Sequence, residues 1–456
     1  MNKKLVTALL GTGTLMASLT ACGGGDDGGG GGGGGGEASG GGSCAVPIVN
    51  PDATQVSVWA WYPNMNDVAT NFNNTHDDVQ VCLTNAGQGI DEYNKFQTTI
   101  TAGSGAPDVI MLETDQVPGF ALQGALTDLT EYGADEVKGN FGEGAWRDVS
   151  SGDAVYGIPV DGGPMAMMYR TDVFQQYGLT VPTTWEEYRA QAEKLKAAGG
   201  PFMGDVPANV PAPMVSLMQQ NGAEPWVYDA ANPTDLEINL NSPEAKEVLD
   251  YWSTMAKDGL VGTQDQFTTD YIAGAVQGQY ATYISAAWAP GYLTGAGAGE
   301  GEDAGKWAVA PLPQWDPANP VSINWGGSVF SVTDQAKDKD AAAIVAKELY
   351  ADPESLADGW KNQIIFPLNQ DILTSDEFIN NPTEFFAGQT ANKDVYIPAG
   401  EAYQGSTYSP FANNFYAEFT TQIAAMNSGE KTGSQAADDL QKAMETYAQQ
   451  QGFNLQ

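Results

Sequence analysis

Apolar and polar positions change rhythm several times along this chain, and each change marks a predicted element. In residues 54–60 (TQVSVWA) Val56, Val58 and Ala60 alternate with polar neighbours, while 79–83 (VQVCL) and 108–112 (DVIML) are compact apolar runs. Alternation and short apolar runs read as strands. Between them, 66–74 and 91–102 carry helical spacing. Strands alternating with helices predict parallel β-α-β units, hence an α/β fold whose ligand lies beyond the carboxyl ends of the strands. The clearest helix spans 185–198. Thr184, with Glu187 three positions on, reads as a capping box, Trp185, Tyr188, Ala192 and Leu195 make the apolar face, and Gly199-Gly200 ends it. Ser242-Pro243 opens another helix with Val248, Leu249, Trp252 and Met255 on one face, and Gly259 closes it. Two more are predicted at 339–350 and 435–449. On such stripes Trp185 and Trp252 are expected in the core.

The N-terminus follows a different pattern. Lys3 and Lys4 precede an apolar stretch over 5–19 that is short for a bilayer span, which describes a secretory signal over 1–21. Leu19-Thr20-Ala21-Cys22 resembles the lipobox of bacterial lipoproteins. That resemblance implies cleavage before Cys22 and its acylation, leaving the protein on the extracellular side of the bacterial cytoplasmic membrane, held by lipid alone. Fifteen of the twenty residues in 23–42 are Gly, so 22–43 reads as a lipidated cysteine and a tether, with a reach of roughly 25 Å. Cys44 and Cys82 remain, and an even pair in an exported chain suits a disulfide worth about 3 to 4 kcal/mol.

Composition narrows the function. The 456 residues carry 19 Lys+Arg against 57 Asp+Glu, a formal charge of −38, which repels nucleic acid and anionic lipid alike. With 42% hydrophobic residues the chain can build a large core, and its length suggests two domains. His76 is the single histidine and sits in a polar NNTHDD turn, so catalytic triads and His/Cys zinc sites lack their members. No EF-hand spacing or Walker loop is present, and the GAGAGEG run over 295–301 has the wrong spacing for a dinucleotide loop. Neither metal nor cofactor is expected. Arg147, Arg170 and Arg189 are the only arginines. Bidentate recognition of carboxylate or phosphate leans on Arg, so a neutral, hydroxyl-rich ligand fits better.

Aromatic side chains lie beside acids and amides in segments without helical rhythm: Trp59, Trp61 and Tyr62, then Glu113 and Asp115, then Asp161, then Tyr283 and Trp288, then Asn324-Trp325-Gly326-Gly327. Sugar rings stack an apolar face on such aromatics while their hydroxyls donate to carboxylates and amides.

The order of these pieces resembles the family 1 extracellular solute-binding proteins of carbohydrate ABC importers over 56–449. The landmarks are VSVWAWY, Gly105-Ala106-Pro107-Asp108-Val109-Ile110, Gly124-Ala125-Leu126-Thr127-Asp128-Leu129, YGIPVDGGPMAMMYRTDVFQQYGLTVPTTWEEY over 156–188, GAVQGQYATYISAAW over 274–288, and the Gly-Gly after Trp325. The resemblance implies two α/β lobes joined by crossing strands, with a hinge and a ligand cleft between them. It divides the body into 44–160 with 322–370, and 161–321 with 371–456. It implies that Trp61 and Tyr62, Gln88 and Asp91, and Glu113 and Asp115 face the cleft from the first lobe. Asp161 would accept hydroxyl hydrogen bonds at the first crossover, Trp288 would stack on the sugar from the second lobe, and Trp325, Gly326 and Gly327 would lie at the return crossover. The partners implied are a neutral mono- or oligosaccharide and the transmembrane subunits of an ABC permease, on which a monomer docks. Lys and Arg are scarce in these windows, where some relatives hold sugar with a basic group. Two other readings stay open: a solute-binding protein for a polyol, peptide or polyamine, and a carbohydrate-active enzyme using paired carboxylates.

Overall fold

The computed structural model describes residues 44–228, 234–295, 297–299, 301–363, 365–382 and 384–456. The predicted signal, Cys22 and the glycine tether lie outside the described residues. The body opens with three parallel strands, β1 (Thr54–Trp59), β2 (Val79–Thr84) and β3 (Val109–Glu113), with β1 between the other two. Helices Met65–Thr75 and Ile90–Ala102 make the crossovers, within one residue at each end of where the helical spacing places them. Cys44 is disulfide-bonded to Cys82 of β2, which ties the start of the body to the first sheet.

A short hairpin, β4 (Ser150–Ser151) and β5 (Ala154–Val155), leads into β6 (Ile158–Arg170), the long strand that organises the rest. In the second region, β7 (Trp226–Tyr228), β8 (Asp235–Ile238) and the terminal β13 (Asn454–Leu455) form a small sheet of their own. β9 (Thr282–Ala286), β10 (Trp307–Pro311), β11 (Asn324–Val332) and β12 (Phe366–Pro367) all pair antiparallel with β6. The partners divide along its length. Residues up to Pro164 pair with β11 and β12, and residues from Met165 pair with β9 and β10. β11 then joins β3, so one strand path runs β10-β6-β11-β3-β1-β2.

The crossing of β6 and β11 depends on glycine. A Cβ on Gly163 would sit 1.8 Å from the Trp325 carbonyl oxygen, and one on Gly327 would sit 2.9 Å from that of Asp161 at a φ of +112°. Only a residue without Cβ lets the two backbones approach this closely and adopt that φ. The pairing shifts register between Asn324 and Gly327, which turns Trp325 and Gly326 out of the ladder.

Two apolar cores result. The first buries Val56, Val58, Val81, Ile110, Leu112 and Phe330 between the sheet and its helices. The second gathers Trp185, Tyr188, Trp252, Phe419, Leu440 and Met444. Trp185 and Trp252 meet edge to face at 5.4 Å and are buried, as their helical stripes predict. The first core also takes in Trp307, Phe378, Phe385 and Tyr396, so the interior runs on into residues that the expected division gives to the second lobe.

The helix starts follow the sequence signals with one change of detail. Thr184 Oγ1 accepts from Glu187 N, but Glu187 reaches back to Thr183 N and Oγ1 rather than to Thr184 N. The reciprocal capping box is instead at Thr432 and Gln435, opening Gly433–Gln450 two residues before the predicted start. His76 stacks on Phe72 at 3.8 Å and pairs with Glu348 at the surface, away from any reactive partner.

Candidate functional site

The carboxyl end of β3 and the register shift in β11, neighbours in one sheet, both line a cavity of about 610 Å³. This size is ordinary for small-ligand sites, roughly 300 to 1,000 Å³. One wall comes from the first sheet. Glu113 is the last residue of β3, and Asp115 lies in the helical turn Thr114–Gln116 that follows it. Tyr93, from helix Ile90–Ala102, donates its hydroxyl to Glu113 Oε2 at 3.1 Å and accepts from Glu113 N at the same distance. Glu113 opens onto the cavity but lies deep in the protein, and that depth, with Asp115 beside it, pushes its pKa up to about 7. Burial also raises Asp115, against hydrogen bonds from Tyr416 Oη at 2.7 Å and Gln116 Nε2 at 3.0 Å. Two carboxylates that share a low-dielectric site disfavour each other's charge, and hydrogen-bond donors restore part of it.

The opposite wall is aromatic. Trp288 caps the short helix Ala289–Thr294 after β9, half-buried, and its Nε1 donates to the Trp325 carbonyl at 3.0 Å. The two indoles meet at 4.7 Å and 67°, with Trp325 only 9% exposed. Phe267 lies nearly parallel to Trp288 at 6.4 Å and edges Tyr292 at 4.8 Å. It is 43% exposed and holds a φ of 60°, a left-handed conformation that bulky residues seldom adopt. Such strain concentrates where a side chain must be aimed. Asn324 lines the same cavity, and its Oδ1 is buried with no hydrogen-bond partner among the described residues. A buried acceptor left unpaired is costly, so a ligand hydroxyl there would be strongly favoured. Among the residues lining the cavity there is no Lys or Arg. Aromatic faces and carboxylate acceptors without a fixed cation suit an uncharged ligand rich in hydroxyls.

Of the residues singled out from sequence, Glu113, Asp115, Trp288, Trp325 and Gly326 line this cavity together. Trp61, Tyr62, Gln88, Asp91, Asp161 and Gly327 do not. Trp61 packs its edge against Tyr93 at 5.8 Å, behind the wall. Tyr62 donates to Asp161 Oδ1 at 2.5 Å, and Ser328 N donates to the same oxygen at 2.7 Å. Asp161, 5% exposed, is therefore satisfied inside the protein where β6 meets β11, and burial raises its pKa to about 6. Gln88 and Asp91 are exposed around the start of helix Ile90–Ala102. Gly327 makes the strand crossing and leaves the cavity to its neighbour.

Sequence reasoning missed Phe267, Asn209, Ser216, Gln219, Tyr408 and Tyr416 on the lining. Tyr408 and Tyr416 had a signal, an aromatic-rich polar run over 403–416 ahead of a helix face. Phe267 had none, because its exposure depends on a backbone angle. Among the described residues no three of His, Cys, Asp or Glu are grouped to hold a metal ion, and no helix is long and apolar enough to cross a membrane.

The chain is similar to known proteins in sequence and in fold. The chain is 24% identical over 434 residues to the lactose-binding protein of Rhizobium radiobacter, covering 87% of this chain and 92% of that one. The ABC-transporter-associated binding protein of B. animalis subsp. lactis Bl-04, solved with beta-1,6-galactobiose, is 26% identical with a TM-score of 0.74, covering 89% of this chain and all of the other. The galacto-N-biose-/lacto-N-biose I-binding protein of Bifidobacterium longum, 21% identical, shares the fold at a TM-score of 0.78 over 89% of this chain and all of its own. The two solved proteins are two-lobed binding proteins, and this mixed α/β chain shares their fold. Residues 60–352, well over half of the body, match the family described as bacterial extracellular solute-binding protein, and the chain belongs to that family.

Proposed function

We propose that this protein captures a neutral sugar or oligosaccharide outside the cell and hands it to the membrane subunits of an ABC importer. The observation that carries the reading is the cavity with Glu113 and Asp115 on one wall, Trp288, Trp325 and Phe267 on the other, and no cation between them. The relatives named for lactose and beta-1,6-galactobiose support the same ligand class. A ligand bridging both walls gains contacts only when they face each other, so binding favours the closed arrangement. That closed surface is what a permease would recognise. The division into 44–160 with 322–370 and 161–321 with 371–456 is supported by the change of β6 partners, from β11 and β12 up to Pro164 to β9 and β10 from Met165, a few residues past the expected boundary. Acylation of Cys22, with 23–43 as leash, is supported by the Leu19-Thr20-Ala21-Cys22 sequence, and places a monomer at the outer face of the cytoplasmic membrane.

Binding rather than turnover is the proposed output. Glu113 and Asp115 are both tied to tyrosines, Tyr93 and Tyr416, which suits fixed acceptors better than groups that must exchange protons. Calorimetry over a panel of mono- and oligosaccharides, run beside an assay for released reducing ends, tests this. Binding heat without new reducing ends is expected; steady release of product would overturn the reading. Trp288→Ala should lower affinity at least about tenfold by removing the stacking face, with little change in melting temperature because the indole is only half-buried. A large drop in melting temperature with unchanged affinity would make Trp288 part of the core instead.

A further inference from the structure

Among the described residues, Asn64, Phe267 and Ala387 hold a positive φ without being glycine, and Phe267 is the one bulky ring of the three. Its neighbours on both sides are fixed. On the N-terminal side, Asn209 uses its side-chain amide as a second peptide group would: Oδ1 accepts from Gln266 N at 3.0 Å, and Nδ2 donates to the Gln266 carbonyl at 2.9 Å. That carbonyl belongs to the peptide joining Gln266 to Phe267, so Asn209 sets the plane from which φ of Phe267 is measured. On the C-terminal side, Thr268 caps helix Thr269–Val276, its Oγ1 accepting from Tyr271 N at 3.2 Å and donating to the Asp265 carbonyl at 3.0 Å. Between two fixed ends, an ordinary negative φ would swing the Phe267 Cβ by roughly 120° about the N–Cα bond and take the ring off Trp288.

The segment that carries this arrangement is stitched down further back. Val206 N donates to the Gly262 carbonyl at 2.8 Å, and Gly262 N donates to that of Gly204 at 2.9 Å, so the two runs lie side by side from there to Asn209 and Gln266. Gln266 Nε2 then donates to Asp205 Oδ2 at 2.6 Å. Gln266 is 4% exposed, and its Oε1 is buried with no hydrogen-bond partner among the described residues. A buried acceptor without a partner costs stability, so what this glutamine contributes is the hold it gives its own backbone. Neither Gln266 nor Asp205 reaches the cavity, whereas Phe267 and Asn209 line it. Backbone strain of this kind persists only where the surroundings over-determine it.

We infer that Asn209, Gln266 and Asp205 are positioning residues for ligand binding: they hold Phe267 in its left-handed conformation, so that its ring joins Trp288 and Trp325 as one aromatic wall. The inference rests on the saccharide reading above and adds how the wall is held. Asp205 and Gln266 then set affinity without touching the sugar, through the aim of one ring.

The test measures affinity by calorimetry on the whole mature protein, with galactose, lactose, galactobiose, maltose and maltotriose as probes, carrying forward those that bind. Phe267→Ala should lower affinity on the order of tenfold, the worth of one aromatic face. Asp205→Ala and Gln266→Ala should each lower it about fivefold, while Asp205→Asn, which keeps an acceptor for Gln266 Nε2, should bind as the wild type does. In a Phe267→Ala background the losses from Asp205→Ala and Gln266→Ala should shrink below about twofold, because the ring they aim is gone. Phe267→Gly should bind as weakly as Phe267→Ala yet melt higher, since glycine takes the left-handed angle without strain. Losses from Asp205→Ala and Gln266→Ala that persist undiminished without the ring, or wild-type affinity in both variants, would overturn the inference while leaving sugar binding intact. Equal melting of Phe267→Gly and Phe267→Ala would overturn it too, by showing that no strain is held. Failure of every probe to bind the wild type would count against the saccharide reading itself, and this inference with it.

Discussion

Glu92 and Glu113 show how much a side chain's chemistry depends on where its neighbours put it. Glu92 lies on helix Ile90–Ala102 with 0% exposure, and neither carboxylate oxygen has a hydrogen-bond partner among the described residues. Burial pushes its pKa from 4.5 to about 9, with Lys95 opposing. The folded state therefore keeps a proton that the unfolded chain gives up, so stability falls as pH rises from about 4.5 to about 9. The loss is up to about 1.4 kcal/mol per pH unit. Glu92→Leu should raise the melting temperature most at the alkaline end and flatten that slope, read from thermal melts across this range; a variant that melts lower at every pH would contradict the account. Nothing in the residue types separates Glu92 from Glu113. Glu113, one of the site residues legible in sequence, was recognisable because it ends an apolar strand. Asp161 was equally prominent in sequence, yet its oxygen is taken up by Tyr62 and Ser328, a fate that depends on the meeting of distant strands.

At the scale of elements, β6 decides the architecture. It is one continuous strand of thirteen residues whose two halves belong to different sets of partners, and Gly162-Gly163-Pro164 sits at the change. Gly163→Ala would drive a Cβ into the Trp325 carbonyl. It should destabilise by about 3 kcal/mol, the upper end for overpacking, and displace Trp325 from Trp288. Chemical denaturation and tryptophan fluorescence report the two effects, and unchanged stability would show that the crossing relaxes. The helices and parallel strands were legible because apolar period and caps are local signals: β1 to β3 and their two crossovers lie within a residue or two of their predicted ends. The reciprocal capping box expected at Thr184 is not made there, because Glu187 takes the backbone N and hydroxyl of Thr183 instead of the backbone N of Thr184. β7 and β8, short neighbouring strands, and β13, from the far end of the chain, carried no periodic signal at all.

Across the whole molecule, an arginine-poor chain holds its two walls together with tyrosine–carboxylate hydrogen bonds. Tyr416, on a helix of the second core, donates to Asp115 beyond β3, and Tyr403 and Tyr408 donate to Asp148. Neutral donors satisfy the acids without placing a cation in the cleft, which keeps the site open to uncharged ligands. Tyr416→Phe leaves Asp115 short of a donor and loosens this join. It should weaken saccharide binding about tenfold and cost about 1 kcal/mol of stability, measured by calorimetry and melting, with the ring's packing retained. Equal affinity in the variant would show that the join plays no part in closure. The sequence alone determined the alternation of strands and helices, the exclusion of polyanions by charge, the poverty of arginine that points to a neutral ligand, and five members of the candidate site. These follow from local periodicity and counting, which need no knowledge of which segments meet. Only the tertiary structure decided that Asp161 is spent where β6 meets β11 and that Phe267 is turned outward. It also decided that Asp115 and Tyr416 meet at the cavity, because burial and partnership are properties of neighbours far apart in the chain.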